Sequence, residues 1–129
     1  MPITRATDIA LRVLITLSST PDALTTVVQL AKAIGAPARY TGKLVQRLAA
    51  EGWVETNRGR GGGIKISATG LEATPVDVMD AMGEGWPVVD CFNPRCPLLT
   101  KGCRLRRLLE DAQNAFMASL GAANMSQLT

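Results

Sequence analysis

Residues 26–67 decide the fold, and they read TVVQLAKAIGAPARYTGKLVQRLAAEGWVETNRGRGGGIKIS. Apolar residues recur at three- and four-residue spacing in the first half of this stretch, which predicts two short helices. The first covers 26–34 and ends at Gly35. The second begins at Pro37 and ends at Gly52, because proline favours a helix start and glycine a helix end. Two helices joined by so short a link are typical of a helix-turn-helix.

The second of these helices has an apolar side and a basic side. Its buried stripe is expected to consist of Leu44, Val45 and Leu48. The side chains that fall off this stripe are Arg39, Tyr40, Lys43 and Arg47. The helix therefore presents a basic face, and Thr25 is the expected N-cap of the helix before it.

Two runs with β character, 53–56 and 64–67, follow the helix pair directly. The Gly-rich segment between them carries Arg58 and Arg60. A helix-turn-helix followed by such a hairpin predicts a winged helix. The glycines would let the backbone approach DNA phosphates while the arginines reach the backbone or the minor groove, although a passive hairpin turn is an alternative. A nucleotide-binding P-loop is disfavoured, because the segment lacks the Lys-Ser/Thr ending and leads into a strand.

Composition limits the classes of function. The chain has 129 residues, which predicts a single domain, 1–129. Residues 1–70 carry nine basic groups against four acidic ones, a net charge of +5, whereas 71–129 carry five against seven, a net charge of −2. Such asymmetry suggests that the first part contacts a polyanion, the alternative being a solvated basic face. We therefore assign 1–70 to DNA binding.

Several classes are excluded by what the chain lacks. It has no histidine, so neither a His-based catalytic triad nor a His-ligated metal site is available. No apolar run approaches the roughly 18 residues that a membrane span needs. Arg5, Asp8 and Arg12 interrupt any signal-peptide pattern in the first 17 residues. Three cysteines cannot all pair within one chain, so a secreted disulfide framework is disfavoured and we expect a reducing, cytoplasmic location. We also expect no enzyme activity, because the sequence shows no substrate-binding constellation.

The remaining pattern predicts a first helix over 4–18, a helix from Thr74 to Gly83, a loop over 84–103 and a last helix over 104–120. The apolar stripe of the last helix comprises Leu105, Leu108, Ala112, Ala115, Phe116 and Ser119. A long amphipathic helix in this position is often a dimerisation seam, and packing back onto its own core is the alternative. The predicted fold is mainly α, a winged helix-turn-helix with a long C-terminal dimerisation helix.

All three cysteines lie in the 84–103 loop, with the spacing C-x4-C-x6-C: Cys91, Cys96 and Cys103. Clustering in a loop rich in proline and glycine indicates a shared ligand. The spacing lacks the C-x2-C pairs common in zinc sites, whereas iron–sulfur clusters accept wider spacings around a larger core. We favour an iron–sulfur cluster over a structural zinc ion, and either over unliganded redox-active thiols.

Three cysteines leave one coordination position open. With no histidine, a carboxylate or a small molecule must fill it, and Asp90 is only the nearest carboxylate in sequence. A carboxylate is a hard, exchangeable ligand, so one iron would be accessible to a diatomic gas or an oxidant. This pattern favours a sensor over an electron carrier or a redox enzyme.

The chain resembles the NsrR/IscR family of iron–sulfur winged-helix transcriptional repressors, and within it the NsrR-like branch. The resemblance rests on four segments spread over nearly the whole length. They are Thr7-Asp8-Ile9-Ala10-Leu11-Arg12, the Arg58-Gly59-Arg60-Gly61-Gly62-Gly63 wing, the cysteine triplet and the helix start Cys103-Arg104-Leu105-Arg106-Arg107. Gly42 stands where IscR-like members carry a specificity-setting acid, so their operator preference is not transferred.

The resemblance implies a homodimeric repressor that binds a palindromic operator in double-stranded DNA and is released by nitric oxide. It implies a 4Fe-4S cluster, with 2Fe-2S as the alternative, held by the three cysteines and by Asp8 of the partner subunit. The matching DNA-binding positions are Arg39, Tyr40, Lys43, Arg58, Gly59 and Arg60. A regulator of the same fold that senses redox or iron–sulfur status, or a winged-helix protein with structural zinc, remains the alternative function.

Overall fold

The computed structural model describes residues 3–84 and 87–129, so residues 85 and 86 of the predicted loop lie outside the described residues. The helices are α1 (Arg5–Ser19), α2 (Val27–Ile34), α3 (Ala38–Ala50), α4 (Ala68–Glu72), α5 (Pro75–Ala81) and α6 (Arg104–Leu120). The strands are β1 (Val54–Asn57) and β2 (Gly63–Ile66), and short 3-10 turns occupy Leu99–Lys101 and Met125–Gln127. This mainly helical chain with one antiparallel hairpin confirms the predicted fold class.

The core forms around α1. Ala10, Val13 and Leu14 on this helix are completely buried. They face the apolar sides of α2 and α3, and α1 also contacts β2, α5 and the turn near the C-terminus. Because apolar residues recur at four-residue spacing along α1, its apolar side can pack against all of these neighbours.

The ends of the helix pair differ slightly from the prediction. Thr26, rather than Thr25, caps α2: its hydroxyl accepts a hydrogen bond from the Gln29 backbone at 3.2 Å. The backbone of Thr25 instead pairs with Ile64 of β2, at 3.0 and 2.8 Å. Pro37 is the N-cap of α3 and not its first residue. The pairing of Thr25 with Ile64 matters because it attaches the wing to the segment just before α2.

The hairpin has a tight register that its glycines make possible. Val54 pairs with Ile66 and Asn57 with Gly63, so the tip between the strands is short. A Cβ added to Gly62 would lie 2.2 Å from the carbonyl oxygen of Asn57. At this position, therefore, turn geometry itself requires glycine, whatever the wing contacts.

Two elements near the end of the fold were not predicted. Ser67 caps the five-residue α4 by accepting from the Gly70 backbone at 2.9 Å. Met125 is completely buried, its amide donates to Ala73 at 2.9 Å, and its carbonyl accepts from Ser18 at 3.0 Å. Ser18 and Met125 are 107 positions apart, so local periodicity could not have predicted their contact.

Helix α6 has the predicted bounds, but it does not cover its own core. Leu105 and Leu108 are 61% and 64% exposed, and no residue of α6 is buried. The rest of the predicted stripe is exposed as well, apart from the partly buried Phe116. The alternative in which this stripe packs back onto its own protomer is therefore wrong.

Two glycine substitutions test the packing of α3 and α4. A Cβ at Gly42 would meet only Val27, at an ordinary 3.5 Å, whereas one at Gly70 would lie 2.1 Å from the carbonyl oxygen of Trp53. We expect Gly42→Ala to raise the free energy of unfolding by about 0.5–1 kcal/mol, because alanine favours helix more than glycine does. Gly70→Ala should lower it by roughly 2 kcal/mol or more through overpacking. Urea denaturation of both variants measures this, and equal effects would contradict the packing described.

Candidate functional site

The basic face of α3 lies at the surface. Arg39 and Lys43 are exposed, while Tyr40 is partly buried against the core. The Arg5 guanidinium also lies over the Tyr40 ring, 5.7 Å from its centroid. This contact joins the first turn of α1 to the first turn of α3. Sequence reasoning missed Arg5, since nothing local indicates that the two helix starts meet.

The wing presents Arg58, Gly59 and Arg60 at its exposed tip. Gly59 has a φ of +92°, a conformation in which other residues are strained. Among residues 3–84 and 87–129, no hydrogen bond, ion pair or ring contact engages the side chains of Arg39, Lys43, Arg58 or Arg60. All four charges are therefore available to an external anion.

The structure brings the wing and α3 together around one groove. Gly42 and Gln46 of α3 form one side, and Asn57, Arg58 and Gly59 of the hairpin form the other. The pairing of Thr25 with Ile64 holds the two sides in place. Of the predicted DNA-binding positions, Arg58 and Gly59 line this groove, whereas Arg39, Tyr40 and Lys43 lie on the same helix as Gly42 and Gln46 but outside the lining.

The three cysteines are free and partly buried. Cys91 and Cys96 close one turn of the loop, in which the Cys96 amide donates to the Cys91 carbonyl at 2.9 Å. Cys103 is the N-cap residue of α6. In the described part of the chain, no three Cys, Asp or Glu side chains converge closely enough to hold one metal ion.

The chemistry around these thiols fits a larger anionic group. The first turn of α6 contains no acid, although acids are favoured at a helix N-terminus. It carries Arg104, Arg106 and Arg107 instead, and among the residues that the structure describes only Arg106 has an ion-pair partner, Glu110 at 3.0 Å. Several cations at the positive end of a helix are unfavourable unless a negative charge lies nearby. Three thiolates around an iron–sulfur core would supply that charge.

Asp8 forms an ion pair within its own helix. Its carboxylate pairs with Arg12 through two contacts, at 3.0 and 2.8 Å. The same guanidinium donates to the carbonyl of Ile34, the last residue of α2, at 3.2 Å. Arg12 thus links the predicted ligand to the end of the first helix of the helix-turn-helix, and both Asp8 and Arg12 remain substantially exposed.

Glu84, just before the cysteines, connects this loop to the start of α1, a contact that sequence reasoning missed. Its carboxylate accepts hydrogen bonds from the Thr4 amide at 2.9 Å, from the Thr4 hydroxyl at 2.8 Å and from the hydroxyl of the completely buried Thr7. The bond from Thr7 lowers the pKa of Glu84 below 4.5; partial burial opposes this shift, and the bonds from Thr4 add to it. The partners are about 80 residues apart, so no sequence signal could have paired them.

These features define a winged-helix transcriptional regulator with a cysteine-bearing loop between its DNA-binding part and an exposed C-terminal helix. Comparison with known proteins agrees with this class. The chain belongs to the Rrf2 family of iron-dependent transcriptional regulators, whose family description matches residues 3–129. Its relatives are regulators and not enzymes. No helix in the described ranges is long and apolar enough to cross a membrane.

Two relatives and two solved structures illustrate the similarity. The chain is 37% identical to the HTH-type transcriptional repressor NsrR of Streptomyces coelicolor, over 99% of this chain and 88% of that protein. It is 31% identical to the NsrR regulator of Bacillus subtilis, over 99% and 90%. The structure of T. potens IscR superposes with a TM-score of 0.78 at 14% identity, covering 99% and 85%. Oxidised Staphylococcus aureus CymR gives 0.77 at 17%, covering 99% and 95%.

The lowered pKa of Glu84 predicts a pH dependence of stability. The charged carboxylate stabilises the fold above pH 4.5, its ordinary value, and this contribution is lost as the pH falls through the lower value of the folded state. We expect Glu84→Gln to unfold with about 1 kcal/mol less free energy at about pH 7, where a charged acceptor is replaced by a neutral one. The difference should shrink as the pH falls below 4.5 through the lowered pKa of the folded state, and chemical denaturation over a series of pH values measures it. A difference independent of pH would contradict the assignment.

Proposed function

We propose that the protein is a homodimeric, cytoplasmic transcriptional repressor that binds palindromic DNA and responds to nitric oxide through an iron–sulfur cluster. Residues 1–70 bind DNA. Residues 71–129 provide the cluster loop and the dimerisation helix. The observation that carries this proposal is that one chain combines exposed cations on α3 and the wing tip, which have no partner among the described residues, with a loop of three free cysteines.

The DNA contacts follow from the exposed cations. Arg39, Tyr40 and Lys43 lie on α3, which fits a major groove, and Arg58, Gly59 and Arg60 lie at the wing tip, which contacts the backbone or the minor groove. Two such units in a symmetric dimer bind half-sites about one helical turn apart.

Cys91, Cys96 and Cys103 hold the cluster, and Asp8 of the partner subunit completes the ligand set. A bound cluster, 4Fe-4S or alternatively 2Fe-2S, supplies iron that reacts with nitric oxide. The role of the protein is to link the two protomers. Thiolates on the loop and a carboxylate on the first helix of the other subunit tie the two protomers together, which fixes the distance between the two α3 helices. Release of the carboxylate and the thiolates removes that tie and lowers affinity for DNA.

The central experiment uses anaerobically purified protein and a duplex selected by it from a random-sequence library. We expect brown protein that binds this duplex tightly and loses at least about tenfold in affinity after nitric oxide is added, a change typical of allosteric coupling. Absorption and Mössbauer spectra identify the cluster, and fluorescence anisotropy measures binding. Colourless, metal-free protein that binds the same duplex equally well and ignores nitric oxide would contradict the proposal. One zinc ion per chain, without visible absorption, would favour a structural metal instead.

Substitution of Asp8 tests the fourth ligand. We expect Asp8→Ala to leave a cluster that is more labile to oxygen or contains less iron. Arg12→Ala is the matched control, because it breaks the same ion pair and keeps the carboxylate. Similar spectra and decay rates for Asp8→Ala and the wild type would remove Asp8 from the ligand set.

The wing arginines are tested by the salt dependence of binding. Arg58→Ala combined with Arg60→Ala should reduce the slope of log K against log salt by about 2, because each phosphate contact releases about 0.9 counterion. Lys65→Ala is the control: it removes a cation from the same hairpin that already pairs with Glu55, at 3.6 Å. Equal slopes for the double variant and the control would show that the wing does not contact phosphates.

The exposed stripe of α6 is tested by the oligomeric state. Leu108→Glu places a charge on the proposed seam and should convert dimers to monomers, since burying an unpaired carboxylate is costly. Asn114→Glu adds the same charge on an exposed side of α6 away from the stripe and should leave the dimer intact. Analytical ultracentrifugation distinguishes the two, and a dimeric Leu108→Glu variant would place the interface elsewhere.

A further inference from the structure

The segment that leads into the cysteine loop is held from two sides. We call residues 81–84 the loop root. The Arg47 guanidinium of α3 donates to the Ala81 carbonyl at 2.6 Å. Three residues later, the Glu84 carboxylate accepts the bonds from Thr4 and Thr7 at the start of α1. Four consecutive residues therefore touch both the expected DNA-reading helix and the helix that carries Asp8.

The root is a closed turn and not a loose linker. Gly83 has a φ of +73°, and its amide donates to Asp80 at 3.1 Å. The Glu84 amide donates to Met79, also at 3.1 Å, so the backbone closes the end of α5. The side chains use the groups that the two helix ends leave unsatisfied: Arg47 binds a terminal carbonyl of α5, and Glu84 binds the Thr4 amide at the N-terminus of α1.

These contacts connect the loop root to both ends of α3. At the C-terminal end the connection is direct, through Arg47, which lies one turn beyond Lys43. At the N-terminal end it is indirect, through the start of α1, where Arg5 stacks on Tyr40. A shift of the root should therefore move α3 as a unit rather than bend it, because packed helices move as rigid bodies.

We propose that the loop root is a joint that transmits the position of the cysteine loop to α3, with Arg47 and Glu84 as its two positioning residues. The inference rests on the proposed function, since it assumes that the loop state controls DNA affinity. It adds a path within one chain to the link between subunits. Neither residue needs to touch DNA or the cluster.

The first test compares DNA affinity in the cluster-loaded and metal-free forms of the full chain. Breaking the joint with Glu84→Ala should reduce the ratio of the two affinities by about fivefold or more, the lower range of allosteric coupling. The affinity of the metal-free form should change by less than about twofold, within the scatter expected away from an interface. Glu84→Gln keeps the accepting oxygen and should restore part of the ratio. Asp77→Asn is the matched control, because Asp77 accepts a helix-capping bond from the Thr74 amide of α5, away from the root.

The second test needs no cluster. In the metal-free chain, Glu84→Ala should speed amide hydrogen exchange in α1 near Thr4 and also in α3 near Arg47. Arg47→Gln should likewise speed exchange both in α3 near the substitution and in α1 near Thr4, and Arg47→Lys should produce a smaller increase at both places. A purely local capping role predicts faster exchange only beside each substituted residue.

The two tests separate the joint from the function on which it rests. If the wild-type affinity is the same with and without the cluster, the proposed function fails, and the exchange experiment still decides whether the root couples the two helices. If the wild-type ratio is large and Glu84→Ala leaves it unchanged, or if exchange changes stay local, the joint is overturned.

Discussion

The burial of α1 is the constraint on which the rest of the structure depends. Its completely buried apolar residues, Ala10, Val13 and Leu14, contribute the surface against which the helix-turn-helix packs. Burying a valine or leucine side chain stabilises a fold by about 2 kcal/mol, so this helix holds together elements that are individually too short to be stable. The wing is then added through the backbone pairing of Thr25 with Ile64.

The polar end of the same helix is where the two parts of the chain meet. Glu84 binds its first turn, Arg5 reaches α3, and Arg12 joins Asp8 to the end of α2. These are charge-assisted contacts at a partly exposed site, so each is weak and replaceable. The apolar side of α1 therefore contributes most to the stability of the fold, whereas its polar end provides the contacts between the two parts of the chain.

Much of the fold could be predicted because its signals are local. The bounds of α6, the Gly83 stop of α5, and the buried stripe of Leu44, Val45 and Leu48 agree with periodicity and capping rules. The candidate site was predictable in part for the same reason, since the three clustered cysteines and the glycine- and arginine-rich segment 58–63 are visible in the sequence. The cap of α2 was misplaced by one residue, because Thr25 and Thr26 are equivalent by propensity and only the pairing of Thr25 with β2 distinguishes them.

The sequence by itself determined the helix pair, the wing and the cysteine spacing, because each depends on residues within a few positions of one another. The absence of histidine follows directly from the composition. Only the tertiary structure decided that the α6 stripe is exposed, that Arg12 reaches the Ile34 carbonyl, and that Glu84 and Arg47 hold the root of the cysteine loop. Three-dimensional packing chooses partners among many chemically equal groups, and a carboxylate 80 residues from its hydroxyl partner leaves no mark in a local pattern.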